Sequence, residues 1–360
     1  MGLIENRTDK VKTEKRIVTA VAFLALMLMA SLASCTEREA GTVTAVTIDG
    51  QTLAFTPVKD QGSNETCWAY AMLATIEANH LAQGDSVHLS VGYAVRHLIE
   101  DHYRRYVLSG GKTTFTTRAT AQTLLNIIER HGIVPHSAYD GYDNVDTRVI
   151  ANKVRRIAQT AVNMKSGQEK HHVTVRKVLD ESLGHVTAGV RMLGADYTPQ
   201  EFARSVCSPG EYQALTSFTH HPFYEHFALE VPDNWEQNLF YNLPLDSLVG
   251  RINAALARGE AVCWEGDISE EGFDWHNAMA DLDGEQYAGD EQLERQRLFE
   301  SYQTTDDHAM CIIGTAPDSN GRTLYILKNS WGTGNAMDGL MYMTADYLKM
   351  KTIAVWLKVK

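Results

Sequence analysis

One cysteine, Cys67, stands where a polar loop gives way to an apolar run. Gln61-Gly-Ser-Asn-Glu-Thr-Cys67 leads into Trp68-Ala-Tyr-Ala-Met-Leu-Ala-Thr-Ile76. A run that is alanine-rich and apolar on nearly every face, reaching about Leu81 and stopped by Gly84, predicts a helix buried on most sides. Cys67 then sits in its first turn, where unpaired backbone N–H groups and the helix dipole favour an anion. A thiol so placed loses its proton more readily, and the thiolate is the nucleophile. The local sequence leaves a second reading open, a buried structural cysteine, because free cysteine packs as a small hydrophobe.

A thiolate nucleophile needs a base, and the base needs an orienting group. Near the C-terminus, Asp307-His308-Ala-Met-Cys-Ile-Ile-Gly314 and Thr323-Leu-Tyr-Ile-Leu-Lys-Asn329-Ser-Trp331-Gly332 flank the turn signal Asp318-Ser-Asn-Gly321. Two β-rich runs around an Asn-Gly pair read as a hairpin. With the turn centred between Ser319 and Asn320, His308 falls opposite Trp331. Asn329 then lies two residues along the facing strand, on the same side as His308 and within side-chain reach.

Taken together, Gln61, Cys67-Trp68, His308 and Asn329-Ser-Trp331-Gly332 resemble the papain-like cysteine peptidases, in order and in local context. The likeness is strongest to the bleomycin-hydrolase or aminopeptidase C branch, especially its bacterial members. Ser90-Val-Gly-Tyr-Ala-Val-Arg96-His, Phe227-Ala-Leu-Glu-Val-Pro-Asp-Asn-Trp235, Tyr241-Asn-Leu-Pro-Leu-Asp246 and Tyr302-Gln-Thr-Thr-Asp-Asp-His-Ala-Met310 support it. The resemblance implies an α+β, two-lobed papain-like fold, a helical lobe carrying the nucleophile and an antiparallel β lobe carrying the base. It implies that the Cys67 thiolate attacks a peptide carbonyl to form a thioester, while the His308 imidazolium stabilises the thiolate and later protonates the leaving amine. Asn329 would orient His308, with Trp331 shielding their bond. The Gln61 amide and the Cys67 N–H would form the oxyanion hole. Substrate would meet Trp68, Trp331, a Gly110-Gly111 strip and, in an aminopeptidase, a terminal carboxylate on Lys360 that attracts the α-ammonium. Asp306 and Asp307 read as loop residues that raise the pKa of His308 and prolong the ion pair. Asn64 stands where many relatives carry a disulfide cysteine. Rival readings are a papain-like endopeptidase and an inert surface lipoprotein that binds peptides.

Several further elements must hold these groups in place. Helices are expected over about 90–108 and 117–130, and again over about 245–258, followed by a buried strand Ala261-Val-Cys-Trp-Glu265. Residues 143 to about 226 read as a helical insertion. Within it Thr198-Pro-Gln-Glu201 and Ser208-Pro-Gly-Glu211 both carry the signature of a capped helix start. The helical lobe thus covers about 57–230 and the β-rich lobe about 231–360.

A chain of 360 residues fits a two-lobed enzyme with insertions, and a net charge of −12 argues against a phosphate-binding surface, hence against nucleic-acid partners. Lys10, Lys12, Lys15 and Arg16 precede the apolar run Ile17–Ala30, which ends in Leu32-Ala-Ser-Cys35. This describes an export signal over 1–35. Its ending resembles a bacterial lipoprotein box, with Cys35 lipidated, residues 36–56 as a tether, and a membrane-anchored protein on the periplasmic side or cell surface. An ordinary cleaved signal and a single membrane anchor are the alternatives. Of the remaining cysteines, Cys263 and Cys311 read as core residues and Cys207 as unassigned. The histidines His171, His172, His220, His221 and His226 form no recognisable ligand spacing, so no metal is expected, and the thiol chemistry needs no cofactor. Peptides are the expected partners, and self-association is left open.

Overall fold

The computed structural model describes residues 51–139, 145–186, 189–192, 194–282 and 289–359. Cys35, the export signal and Lys360 lie outside them. Helices cover Cys67–Leu81 (α1), Val91–Leu108 (α2), Ala121–His131 (α3), Thr147–Asn163 (α4), Glu169–Leu183 (α5), Pro199–Val206 (α6), Leu245–Ala257 (α7), Glu291–Glu300 (α8) and Ala345–Lys351 (α9). Strands cover Gln51–Thr52 (β1), Val190–Met192 (β2), Ala195–Tyr197 (β3), Tyr212–Thr216 (β4), His226–Ala228 (β5), Leu239–Asn242 (β6), Val262–Gly266 (β7), Phe273–Asp274 (β8), Met279–Ala280 (β9), His308–Pro317 (β10), Thr323–Lys328 (β11), Leu340–Thr344 (β12) and Thr352–Lys358 (β13).

α1 is buried all round, from Trp68 to His80. Its small residues Ala74 and Ala78 allow a close approach to Ala261, Cys311, Ile313 and Ile326 on the sheet. The mixed sheet runs β5-β6-β4-β13-β7-β10-β11-β12-β9-β8, with β1 added to β10. Its pairings are antiparallel except β4–β6 and β9–β12. One apolar cluster joins Trp68, Leu73 and Tyr103 of the helices to Cys263, Ala309 and Trp356 of the sheet.

Two features of the insertion differ from the sequence reading. Thr198 forms the full reciprocal cap on α6. Ser208 receives only half of one: its N–H donates to Glu211 at 2.8 Å, and no helix follows. Tyr212–Thr216 instead becomes β4, because its buried side chains pair with the final strand, Val355 facing Leu215. Val190–Met192 and Ala195–Tyr197 pair antiparallel as β2–β3 rather than continuing as helix.

The hairpin carrying His308 pairs Thr315 with Tyr325 near its turn, and Cys311 with Lys328 near its base. A register shift between Ile312 and Gly314 separates the two ends. The turn therefore centres on Asn320, half a step from the expected place. The extra residue restores, at the His308 end, the alignment that brings Asn329 alongside.

Candidate active site

Cys67 is the first residue of α1, and the loop before it is held from both sides. The Gln61 N–H donates to the Ser330 carbonyl at 2.8 Å, while Ser330 Oγ donates to Gln61 Oε1 at 2.7 Å. Gln61 Nε2 donates to the Asn64 carbonyl at 2.6 Å, which leaves its second hydrogen for a ligand. Asn64 takes over a stapling role: Nδ2 donates to Gln61 O and Val145 O, and Oδ1 accepts from Thr147 N and Thr147 Oγ1. The loop is thereby tied to the start of α4 without a disulfide. All four described cysteines, Cys67, Cys207, Cys263 and Cys311, are free thiols.

At the base of β10, His308 Nε2 lies 2.7 Å from Asn329 Oδ1. Asn329 Oδ1 also accepts the Ser330 N–H at 2.7 Å, and Asn329 Nδ2 points to Met341 Sδ at 3.8 Å. The amide is thus fixed with its oxygen toward the ring, so His308 carries its proton on Nε2 and keeps the Nδ1 lone pair. The Trp331 ring lies 4.7 Å from that of His308, and Trp275 packs edge-on against Trp331. Gly339 lets this loop close. At φ +89° its carbonyl accepts the Asn329 N–H, and a Cβ there would meet Gly332 O at 2.5 Å.

Cys67, His308 and Gln61 line one cavity of about 140 Å³, together with Trp68, Arg118, Ala119 and Trp331. Two larger hollows, of about 340 and 840 Å³, pair no cysteine with a histidine in their walls, so chemistry rather than size locates the site. The smaller cavity is acidic: Glu65, Asp233, Glu265, Asp306 and Asp307 line it against a single arginine. Arg118 forks onto Asp233 at 2.9 and 3.1 Å and donates to the Asp306 carbonyl.

This environment reverses two expectations about charge. Burial, followed by the negative charge of Glu265, pushes the Cys67 thiol up to about 12, although the Ala309 N–H donates to its sulfur. Burial lowers His308 to about 4, and only the Asn329 bond opposes it; Asp306 and Asp307 do not lift it. Cys67 keeps part of its surface open to the cavity, so solvent there moderates the rise without changing its direction. A contact ion pair gains only about 4 kcal/mol at an effective dielectric of ~20. At about 1.4 kcal/mol per unit, that is less than the gap between a thiol near 12 and an imidazole near 4. Both shifts favour the uncharged thiol and imidazole in the empty site. The carboxyls respond to one another as well. Glu265 is held well above the carboxylate range by burial and by Asp306, and burial with Asp233 lifts Asp306 to about 7.

The structure thus brings Gln61, Cys67, His308, Asn329 and Trp331 together. Trp68 lines the cavity but is 1 % exposed, and its indole N–H is committed to Thr117 O, so it braces the cavity wall. Gly110 and Gly111 are not in that wall. They end α2 at φ +65° and +85°, with Gly111 against Tyr106, and the segment facing the cavity is Arg118-Ala119. Lys360 lies outside the described residues. β13 starts level with the site, Thr352 facing Gly266 beside His308, and runs away from it until Lys358 pairs with Glu211 at 2.8 Å. Arg118, Asp233, Glu265 and Trp275 escaped the sequence reading. Of these only Glu265 gave a signal, an acid closing an otherwise apolar strand.

Among the described residues, one cluster has metal-like composition: His220, His221 and Glu230. Gln296 Oε1 accepts the Thr219 N–H, so its Nε2 donates to His220 Nδ1 at 2.9 Å. That fixes a proton, not a lone pair, on the His220 Nε2 facing Glu230, and the cluster reads as hydrogen-bonded surface histidines.

Comparison with known proteins agrees with this geometry. Residues 193–359 match the model of the Peptidase C1-like family. Aminopeptidase W of Lactobacillus delbrueckii subsp. lactis is 22 % identical over 65 % of this chain, which spans 61 % of that protein's length. The mitochondrial Cysteine proteinase 1 of Saccharomyces cerevisiae is 20 % identical over 82 % of this chain and 73 % of its own. The crystal structure of PepW from Lactobacillus rhamnosis HN001 superposes with a TM-score of 0.67 at 17 % identity, covering 88 % of this chain and 82 % of that one. The order of the site residues, the two-lobed α+β architecture and these likenesses converge: the chain has the papain-like α+β fold and is similar to cysteine peptidases of that kind.

Proposed function

We propose that the protein is an aminopeptidase that hydrolyses peptide bonds with Cys67, His308 and Asn329, assisted by Gln61. The observation that carries it is the 2.7 Å bond from His308 Nε2 to a fixed Asn329 oxygen, in a histidine that shares its cavity with Cys67 and Gln61. With Nε2–H engaged, His308 Nδ1 takes the thiol proton as the sulfur attacks the carbonyl carbon. The oxyanion accepts from the free Gln61 Nε2–H and from the Cys67 backbone N–H at the start of α1. Imidazolium then returns its proton to the leaving amine, and a thioester remains. Water, deprotonated by Nδ1, releases the acid and restores the thiol.

Removal of single N-terminal residues is supported by the likeness to a protein named an aminopeptidase and by the acidic wall beside Cys67, which suits a free ammonium. One observation favours internal cleavage instead. No residue of β13 lines the cavity, so the described part of the final strand neither blocks it nor reaches an amine there. Mass spectrometry of peptide digests, using free and N-acetylated versions of each peptide, decides between them. Stepwise loss from free peptides alone supports the aminopeptidase, and internal cuts in acetylated ones support an endopeptidase. Cys67→Ala should abolish both while the fold persists, and Gln61→Ala should lower turnover by roughly 100- to 1,000-fold. Normal cleavage by Cys67→Ala would overturn the mechanism.

A further inference from the structure

The cavity beside Cys67 holds more carboxyl groups than the hydrolytic chemistry uses. Glu265 and Asp306 are 2 % and 7 % exposed, yet both line it. Neither Glu265 Oε1 nor Asp306 Oδ2 receives a hydrogen from any N–H or hydroxyl of the protein. On its other side Glu265 Oε2 accepts the Ala121 N–H at 3.1 Å. The one arginine is already divided between Asp233 and a backbone carbonyl. Buried carboxyls without donors are costly unless something completes them.

We propose that Asp306 and Glu265, backed by Asp233, form a cation subsite for the acyl side of the substrate. The group it takes is an organic cation next to the scissile bond, either the α-ammonium or a lysine or arginine side chain. This rests on Cys67 and His308 being the reacting pair. The side follows from their chemistry. The leaving amine must sit by His308 to be protonated, where Trp331 and Trp275 crowd the ring, which leaves the rest of the cavity to the acyl part. The acids line that remainder, Asp233 held by Arg118 and Glu265 by the start of α3. A space of about 140 Å³, the share of about five waters at ~30 Å³ each, fits one side chain or one amino terminus. A cation there gives the unfilled carboxylate oxygens their donors. It also offsets the charges that oppose thiolate formation at Cys67, so the preference appears in kcat as well as in KM.

Two substrate pairs test this and separate the sources. Leucine anilide against its desamino analogue reads the α-ammonium. Acetyl-arginyl-leucine anilide against acetyl-citrullyl-leucine anilide reads a side-chain cation. At least one pair should show a preference in kcat/KM of about 10-fold or more for the charged member. Asp306→Asn and Glu265→Gln should each bring that ratio close to one. Equal rates for both pairs in the wild type overturn the proposal, as does a ratio that survives both substitutions. Calorimetry on Cys67→Ala with the corresponding arginyl and citrullyl peptide amides reads the subsite without turnover. If the wild type cleaves nothing but Cys67→Ala still binds the arginyl amide about 10-fold more tightly, the peptidase reading fails and the subsite stands. Equal binding of the two amides removes the side-chain source.

Discussion

The proton inventory around His308 decides how this site starts its reaction. Asn329 is locked as an acceptor by the Ser330 N–H, so His308 enters the reaction as a neutral base with its lone pair on Nδ1. Burial and carboxylates push the Cys67 thiol up and burial pushes His308 down, so both shifts favour the uncharged pair in the free protein. The sign for thiol reactivity follows: a raised pKa means that the thiolate fraction grows tenfold per pH unit until pH approaches that value. Alkylation of Cys67 by iodoacetamide should therefore climb steadily from pH 6 to beyond 9. A rate that is already maximal and flat between about pH 5 and 8 would show a preformed ion pair instead. At this scale the sequence was informative where chemistry is carried by residue type. Cys67, His308 and Asn329 each stand in a local context that names a role, and Gln61 precedes the nucleophile on the same loop. Asp233, Glu265 and Arg118 were not legible, because their proximity is made by three separate segments meeting at one wall.

Among the elements, the loop from Gln61 to Cys67 depends on hydrogen bonds rather than on a covalent staple. Asn64 spends both ends of its amide on the start of α4 and on Gln61 itself. Asn64→Ala leaves Val145 O, Thr147 N and Thr147 Oγ1 without their partner and loosens the oxyanion donor. Denaturant melts should show a loss of about 1–3 kcal/mol, and kcat should fall more than KM rises. A stable variant with unchanged kcat would make Asn64 a bystander. The hairpin shows both the reach and the limit of reading a sequence. Turn chemistry and alternation gave the strands and the facing of His308 and Asn329, but not the extra residue at Ile312–Gly314 that sets it. A bulge is a local accommodation to packing, here beneath α1, where Ile313 lies against Ala74 and Ala78. The half-cap at Ser208 failed as a helix signal for a similar reason: pairing with β13 outweighed a local start.

For the molecule as a whole, membrane attachment is a proposal resting on the N-terminal sequence. Among the described residues, no helix is long and apolar enough to cross a membrane. Lipidation at Cys35 would anchor a peptidase whose described fold is already under way at Thr52. Cys35→Ser should move the protein from the detergent phase to the aqueous phase, with peptidase activity retained. Identical partitioning of the two forms would favour a membrane helix or an ordinary cleaved signal. The helical lobe and the sheet were foreseeable from the change in periodicity past Pro232. That the lobes exchange a strand was not, because β4 sits in the middle of an otherwise helical region. It lies between β6 and β13, and so supplies the neighbour that the final strand needs. β13 thus closes onto a segment far back in the chain, with Trp356 entering the cluster that holds Trp68. Neither half of the chain can complete its own layer. The cleft should therefore form only once β13 has docked beside β4, so that a chain in which this strand is still unpaired carries no working cysteine.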